Sequence, residues 1–158
     1  MTFRKKDLQV PGTYILLLHA ALERDVTIGA AGILSLRQGY YAYVGSAFGP
    51  GGLYARLRHH CYSAAGPRWH VDYLRKHATI SEIIFSRSRD RLECSWADIL
   101  AGLTHSSSPL TGFGASDCLC DSHLFYFPKR PVLAGRRQFG AARLKQDQFS
   151  VLNEAACF

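Results

Sequence analysis

Between the break at Pro11-Gly12 and the polar turn Glu23-Arg24-Asp25, the chain runs Tyr14-Ile15-Leu16-Leu17-Leu18 without a polar side chain. Such a run is too short for a helix and is bounded by turn formers, so it reads as a buried strand at the centre of a sheet. At 158 residues and 17.6 kDa there is room for one domain around that strand, not for two ordinary ones. Apolar residues make up 47% and charged residues 20%, which excludes a disordered, collagen-like or coiled-coil chain. No window approaches the roughly 20 apolar residues of a membrane span. Met1 to Lys6 is polar and basic and lacks the apolar run of a signal peptide, so the expected compartment is the cytoplasm and no membrane contact is expected.

Further elements follow from local pattern. Val26–Leu36 mixes β-branched and small residues around Gly29 and Gly32 and suggests one or two short, bent strands. Tyr40 to Gly45 alternates, with Tyr41 and Tyr43 on one face. Gly49-Pro50-Gly51-Gly52 is a loop, and Leu53–Tyr62 returns to helical spacing, with Leu53 and Leu57 on one stripe and Arg56 and His60 on another. Trp69–His77 predicts a short helix and Thr79–Phe85 a strand; Leu92–Leu103 predicts a helix with Glu93 in its first turn, and Leu124–Phe127 a last strand. The expected organisation is a polar N-terminal segment over 1–10, one domain over 11–128 and a solvated basic tail over 129–158 outside it.

The chain carries 19 Lys and Arg against 12 Asp and Glu, a net charge of +7. That balance favours polyanionic partners, nucleic acid first, through phosphate neutralisation and counterion release. Residues 129–158 hold six basic and two acidic side chains, so much of the excess lies there. The five cysteines, Cys61, Cys94, Cys118, Cys120 and Cys157, are an odd set without a secretion signal, which argues for reduced thiols rather than a disulfide framework. Cys94, Cys118, Cys120 and His123 offer the soft donors that structural Zn²⁺ prefers. The Cys118-x-Cys120 gap is tighter than that of zinc knuckles, and thiols packed in the core are the preferred reading.

The order of the reactive residues resembles the GIY-YIG nucleases. Gly12-Thr13-Tyr14 stands for the first half-motif and Tyr43-Val44-Gly45 for the second. Arg56 to His60 stands for the family's Arg-x-x-x-His helix, and Glu93 for its metal-binding carboxylate. The strings Trp69 to Leu74, Glu93-Cys94 and Gly112 to Leu124 resemble the Uri-type branch, and the similarity spans residues 12–127. Thr13 and Val44 replace the usual isoleucines. The family's late asparagine has Asp117, His123 or nothing in its place.

The resemblance implies an α+β fold, a small mixed or antiparallel sheet flanked by helices, and a one-metal endonuclease acting on DNA phosphodiesters. Catalytic roles then fall to Tyr14, Tyr43, Arg56, His60 and His70, with Tyr14 as general base on water. Glu93 would hold one Mg²⁺ or Mn²⁺ completed by waters and phosphate. Gly45, Ser46 and Arg58 are expected to contact substrate. Arg56 presents a fork matched to phosphate, and His60, one turn on, is expected to reach the same phosphate. A phenol with a pKa of ~10 needs nearby cations to lower it. DNA is the expected partner, with RNA left open.

Taken singly, these residues have plainer explanations. A strand tyrosine is more often core, Arg56 and His60 a solvated helix face, Glu93 a favourable charge at a helix start, and His70 a core hydrogen-bonder. A different class of function, a non-catalytic nucleic-acid-binding module accessory to DNA repair, is motivated by relatives of the Uri-type branch fused to an endonuclease III-like domain. A third is a zinc-stabilised interaction domain.

Overall fold

The computed structural model describes residues 2–62, 66–115, 118–133 and 139–157, with side chains described up to residue 152. The apolar run becomes β1 (Thr13–Ala20), and it is the middle strand of an antiparallel five-stranded sheet. Its neighbours are β4 (Gly39–Ser46) and β5 (Thr79–Ser86); β6 (Leu124–Phe127) lies outside β4, and β7 (Ala142–Lys145) outside β5. The segment around Gly29 and Gly32 resolves into a hairpin of β2 (Arg24–Thr27) and β3 (Ile33–Leu36), with a single 3₁₀ turn at Gly29–Ala31 between them. The described residues also form four α-helices: α1 (Lys5–Leu8), α2 (Gly52–Tyr62), α3 (His70–Arg75) and α4 (Glu93–Ala101). The fold is α+β, as expected.

Both faces of β1 are buried because a layer covers each. Tyr14, Leu16 and Leu18 point to the face shared with Tyr41, Tyr43, Ile83 and Phe85, which is covered by α2, α3 and the hairpin through Leu53, Leu57, Val71, Leu74 and Leu34. Ile15 and Leu17 point to the opposite face with Val44, Ile84 and Phe125, under Trp96, Ala97 and Leu100 of α4. At roughly 1.5–3 kcal/mol per large apolar side chain removed from water, these two layers are the principal stabilising term. Among the described residues no helix is long and apolar enough to cross a membrane.

Both expected appendages belong to the domain. In the first, Phe3 stacks edge-on against Phe85 at 5.0 Å, and Leu8 is fully buried. In the second, β7 pairs with β5 from Ala142 to Lys145, Leu144 is buried, and a 3₁₀ segment, Gln146–Cys157, buries Val151 and Leu152. Arg143 and Arg130 lie 3.4 and 3.8 Å from the buried carboxylate of Glu82. The charge-based reading counted six basic groups and overlooked the apolar residues between them. An unpaired edge on β5 provides the hydrogen-bonding partner that a solvated tail lacks.

Candidate active site

The register of β1 on β4 places Tyr14 directly opposite Gly45. A Cβ at position 45 would run into the Tyr14 hydroxyl and Cζ, so the phenol occupies the space that a side chain there would need. Tyr14 is completely buried. Its hydroxyl is 2.7 Å from Nε2 of His60 on the last turn of α2. Nδ1 of His60 in turn faces Oδ1 of Asp72 at 3.4 Å, while Nε2 of His59 lies 3.0 Å from Oδ2 of the same carboxylate. Asp72 is fixed by the backbone N–H groups of Arg68 and Trp69, at 2.8 and 3.0 Å.

Burial works against an ionised Asp72, but hydrogen bonds from His60, from the Trp69 and Arg68 N–H groups and from His59 outweigh it and hold its pKa well below the usual carboxylate range. The carboxylate therefore only accepts, so Nδ1 of His60 carries a proton. Burial, partly offset by Asp72, pushes the His60 pKa down, which keeps the imidazole neutral near neutral pH. A neutral ring protonated at Nδ1 has a lone pair on Nε2, and the Tyr14 O–H donates to it. The result is an ordered chain, Tyr14 O–H to His60 to Asp72, in which Nε2 accepts from Tyr14 and the carboxylate accepts from Nδ1.

The cationic field expected to lower the Tyr14 pKa does not prevail. Burial, reinforced by Tyr43, raises it well above 10, and Arg56 offsets only part of this. Tyr43 is likewise raised, chiefly by burial. Both are neutral phenols in the folded protein.

On the outer side of Gly45 lies a cleft of about 430 Å³ whose walls include Tyr43, Gly45, Ser46, Arg56, His70 and Glu93. Tyr43 is 5% exposed and is held by the rings of Tyr14 and His60, by Phe113, which stands edge-on at 6.0 Å, and by Gly114, which at φ +67° leaves no room for a Cβ against the Tyr43 ring. The Gly114 N–H donates to Nδ1 of His70 at 2.8 Å. A neutral His70 with Nδ1 so occupied carries its proton on Nε2 and serves as a hydrogen-bond donor. The Arg56 guanidinium lies 3.9 Å over the Trp69 ring, which orients its fork at the cleft wall, and it also interacts with the Tyr14 hydroxyl. Glu93 opens α4, whose start is tied to β1 by the Leu92 N–H bond to Thr13 Oγ1 at 3.4 Å. Thr13, the departure from the resembled motif, thus helps place the carboxylate. A larger groove, about 830 Å³, is lined by residues including Ile99, Leu103, Phe127 and Pro128; none of the candidate catalytic groups reaches it.

Two expectations need correction. His60 is 4% exposed with both ring nitrogens engaged by Tyr14 and Asp72, so it does not share a phosphate with Arg56. The i, i+4 spacing is right, but the last turn of α2 dips under Gly45 while Arg56 remains at the cleft. Arg58 does not line the cleft. Arg68 and Arg91 do, and neither was singled out. Asp72 was also missed as a functional group: its signal is a carboxylate three residues after Trp69, where a capping role is the ordinary explanation. Asp117 lies outside the described residues.

Beside Glu93, Cys94, Cys118, Cys120 and His123 bring their donor atoms within 4.8 Å of one another, so the cluster could hold a metal ion. Cys94 Sγ and Cys120 Sγ are 2.9 Å apart, and Cys118 Sγ is 3.3 Å from Nε2 of His123. Residues 26 positions apart meet because α4 and the segment before β6 converge at one end of the sheet. The cluster opens partly to solvent and is not a set of core thiols: Cys94 is exposed, and Cys118 and Cys120 are half-buried.

The family model described as a domain of unknown function, DUF123, matches residues 13–142, and the chain belongs to that family. No curated protein and no solved structure matches it.

Proposed function

We propose that the protein is a metal-dependent endonuclease that hydrolyses DNA phosphodiester bonds, a reading to which the GIY-YIG resemblance of the sequence adds support. The observation that carries it is the proton chain from Tyr14 through His60 to Asp72 ending at Gly45 of a cleft that also presents Arg56, His70 and Glu93. A buried Asp-His-Tyr chain is more than a core needs for packing, and it ends at a wall position without a side chain.

In this reading a water held by Tyr43 attacks phosphorus at the Gly45 opening. Its proton passes to the Tyr14 oxygen as the Tyr14 proton moves to Nε2 of His60, so no phenolate has to exist beforehand. Asp72 stabilises the imidazolium that forms. Arg56 binds a non-bridging oxygen as it gains charge, and Nε2–H of His70 donates to the phosphate. The water oxygen ends bonded to phosphorus, the bond to the leaving oxygen breaks and that oxygen takes a proton from solvent, and the proton held by His60 returns through the Tyr14 oxygen to a water in the cleft. Glu93 is an oxygen donor that would hold Mg²⁺ or Mn²⁺, and such an ion would supply stabilisation of the leaving oxygen. For the sulfur and imidazole cluster we assign Zn²⁺, because three thiolates and one imidazole are its common structural donor set.

Among the described residues, Arg56, Arg68 and Arg91 against the carboxylate of Glu93 make the cleft cationic, in keeping with a polyanionic substrate. The test is cleavage of labelled DNA with Mg²⁺, Mn²⁺ or EDTA; RNA is one arm of the same panel.

A further inference from the structure

His123 stands between the sulfur cluster and the cleft. Its Nε2 faces Cys118 Sγ at 3.3 Å, and its Nδ1 faces Glu93 Oε2 at 3.5 Å. The ring is 2% exposed, and Nδ1 forms no hydrogen bond of good geometry, a state that buried polar atoms seldom keep; the Glu93 carboxylate and the Gly114 backbone are the ring's polar neighbours on that side. The backbone holds it in place from both sides: the His123 N–H donates to the Phe113 carbonyl at 2.8 Å, and its carbonyl accepts from Val44 N–H at 2.9 Å. Cys94, one of the sulfur donors, is the residue after Glu93 on the same first turn of α4.

We propose that Glu93 is the positioning carboxylate of the sulfur-imidazole metal site, accepting a hydrogen bond from Nδ1–H of His123 while Nε2 binds the metal, so that one residue joins the metal site to the cleft. This rests on the assignment of zinc to the cluster and is independent of nuclease activity. A tetrahedral zinc with bonds of about 2.3 Å places its sulfur donors about 3.8 Å apart. The 2.9 Å and 3.3 Å separations and the 4.8 Å span bracket that figure, so loading draws the donors by less than about 1 Å. With Nε2 on the metal, the ring proton must sit on Nδ1, and the carboxylate 3.5 Å away is its acceptor. Imidazole ligands of zinc are commonly oriented by such carboxylates. Glu93 has two oxygens; Oε2 faces His123, which leaves the other for the cleft, where 26% of the side chain is exposed.

The experiment is zinc affinity of the full-length protein, measured by competition with a chromogenic chelator under reducing conditions. Wild type is expected to hold one equivalent. Glu93→Gln, which keeps the shape and removes the strong acceptor, is expected to weaken zinc ten- to a hundredfold. Asp90→Asn, a nearby carboxylate outside the cluster, is expected to leave affinity unchanged, which separates a specific hydrogen bond from a general loss of negative charge. Glu93→Asp is expected to bind more tightly than Glu93→Gln. Circular dichroism of each variant confirms the fold. One equivalent of zinc bound equally well by wild type and Glu93→Gln would overturn the link and leave the zinc assignment standing. Less than a tenth of an equivalent in wild type, with no uptake on titration, would overturn both. Neither outcome touches the nuclease proposal.

Discussion

The Tyr14 hydroxyl donates to Nε2 of His60 across 2.7 Å, and both residues are buried under Gly45. The direction of that bond is set from the far side of the ring, where Asp72 leaves Nδ1 no choice but to carry the proton. In the proposed hydrolysis the pair acts as one base, with His60 taking the proton that Tyr14 passes on.

Asp72→Asn tests that polarity. An amide can donate to Nδ1, which moves the ring proton to Nε2 and removes the acceptor of Tyr14. Cleavage is expected to fall roughly a hundred- to ten-thousandfold while DNA affinity is unchanged. Single-turnover rates and a binding isotherm on one duplex measure both; a variant that cleaves at the wild-type rate removes His60 as proton acceptor.

The same pair sets a pH dependence. His60 has a folded pKa below its ordinary 6.5, so its neutral form is favoured by folding. Its contribution to stability is therefore complete above pH 6.5 and is lost as pH falls from there through the folded pKa. Asp72, depressed below 3.8, adds a second loss at still lower pH. Cleavage should decline through the first of these windows, since an imidazolium cannot accept the Tyr14 proton. At the alkaline end burial raises the pKa values of Tyr14 and Tyr43, as it does those of Tyr41 and Tyr62, and absorbance titration should show these tyrosines ionising above pH 10, with Tyr14 and Tyr43 well above it. Melting temperature and rate recorded against pH, with His60→Gln as the comparison, check the acid side.

Gly45→Ala should displace the Tyr14 ring, because a Cβ there meets the hydroxyl and Cζ. A destabilisation of about 1–3 kcal/mol is expected from such overpacking, together with loss of cleavage. Gly49 has open space at the same position, and Gly49→Ala should be neutral in both respects. Denaturant midpoints and rates for the two variants make the comparison; equal behaviour would mean that Tyr14 does not need its place under Gly45.

Much of this was legible in the chain. The uninterrupted run Tyr14 to Leu18 required a strand covered on both faces, and it is the middle strand of five. The boundaries of Leu124–Phe127 were read without error, because Pro128 and the turn before Leu124 mark them. Depth was not legible. Helical spacing puts Arg56 and His60 on one stripe, yet Arg56 lines the cleft while His60, a turn further on, is buried against Tyr14 and Asp72. Convergence was not legible either: Cys94 and Cys120 meet only because β6 pairs with β4 and α4 packs on that end of the sheet. The basic tail was misjudged because composition averages over Leu144, Val151 and Leu152, which are what fold it against β5.

The cleft arginines should act on binding. Arg68→Ala and Arg91→Ala are each expected to weaken DNA binding and to reduce the slope of log affinity against log salt by about one, if each meets a phosphate. Arg56→Lys keeps the charge but loses the planar fork and its stacking on Trp69, so the salt slope should hold while the cleavage rate falls. Fluorescence anisotropy across a salt series resolves the three.

The measurement that bears most directly on the proposed activity is a cleavage assay on labelled duplex, single-stranded, flapped and branched DNA and on RNA. It is run with Mg²⁺, Mn²⁺ or EDTA, with Glu93→Ala in parallel. The expected result is cutting of at least one DNA substrate that requires the divalent ion and disappears in Glu93→Ala, with folding and DNA binding retained. Salt-sensitive binding without cleavage of any substrate, at full zinc content and with either ion, would contradict it and make the protein a nucleic-acid-binding module.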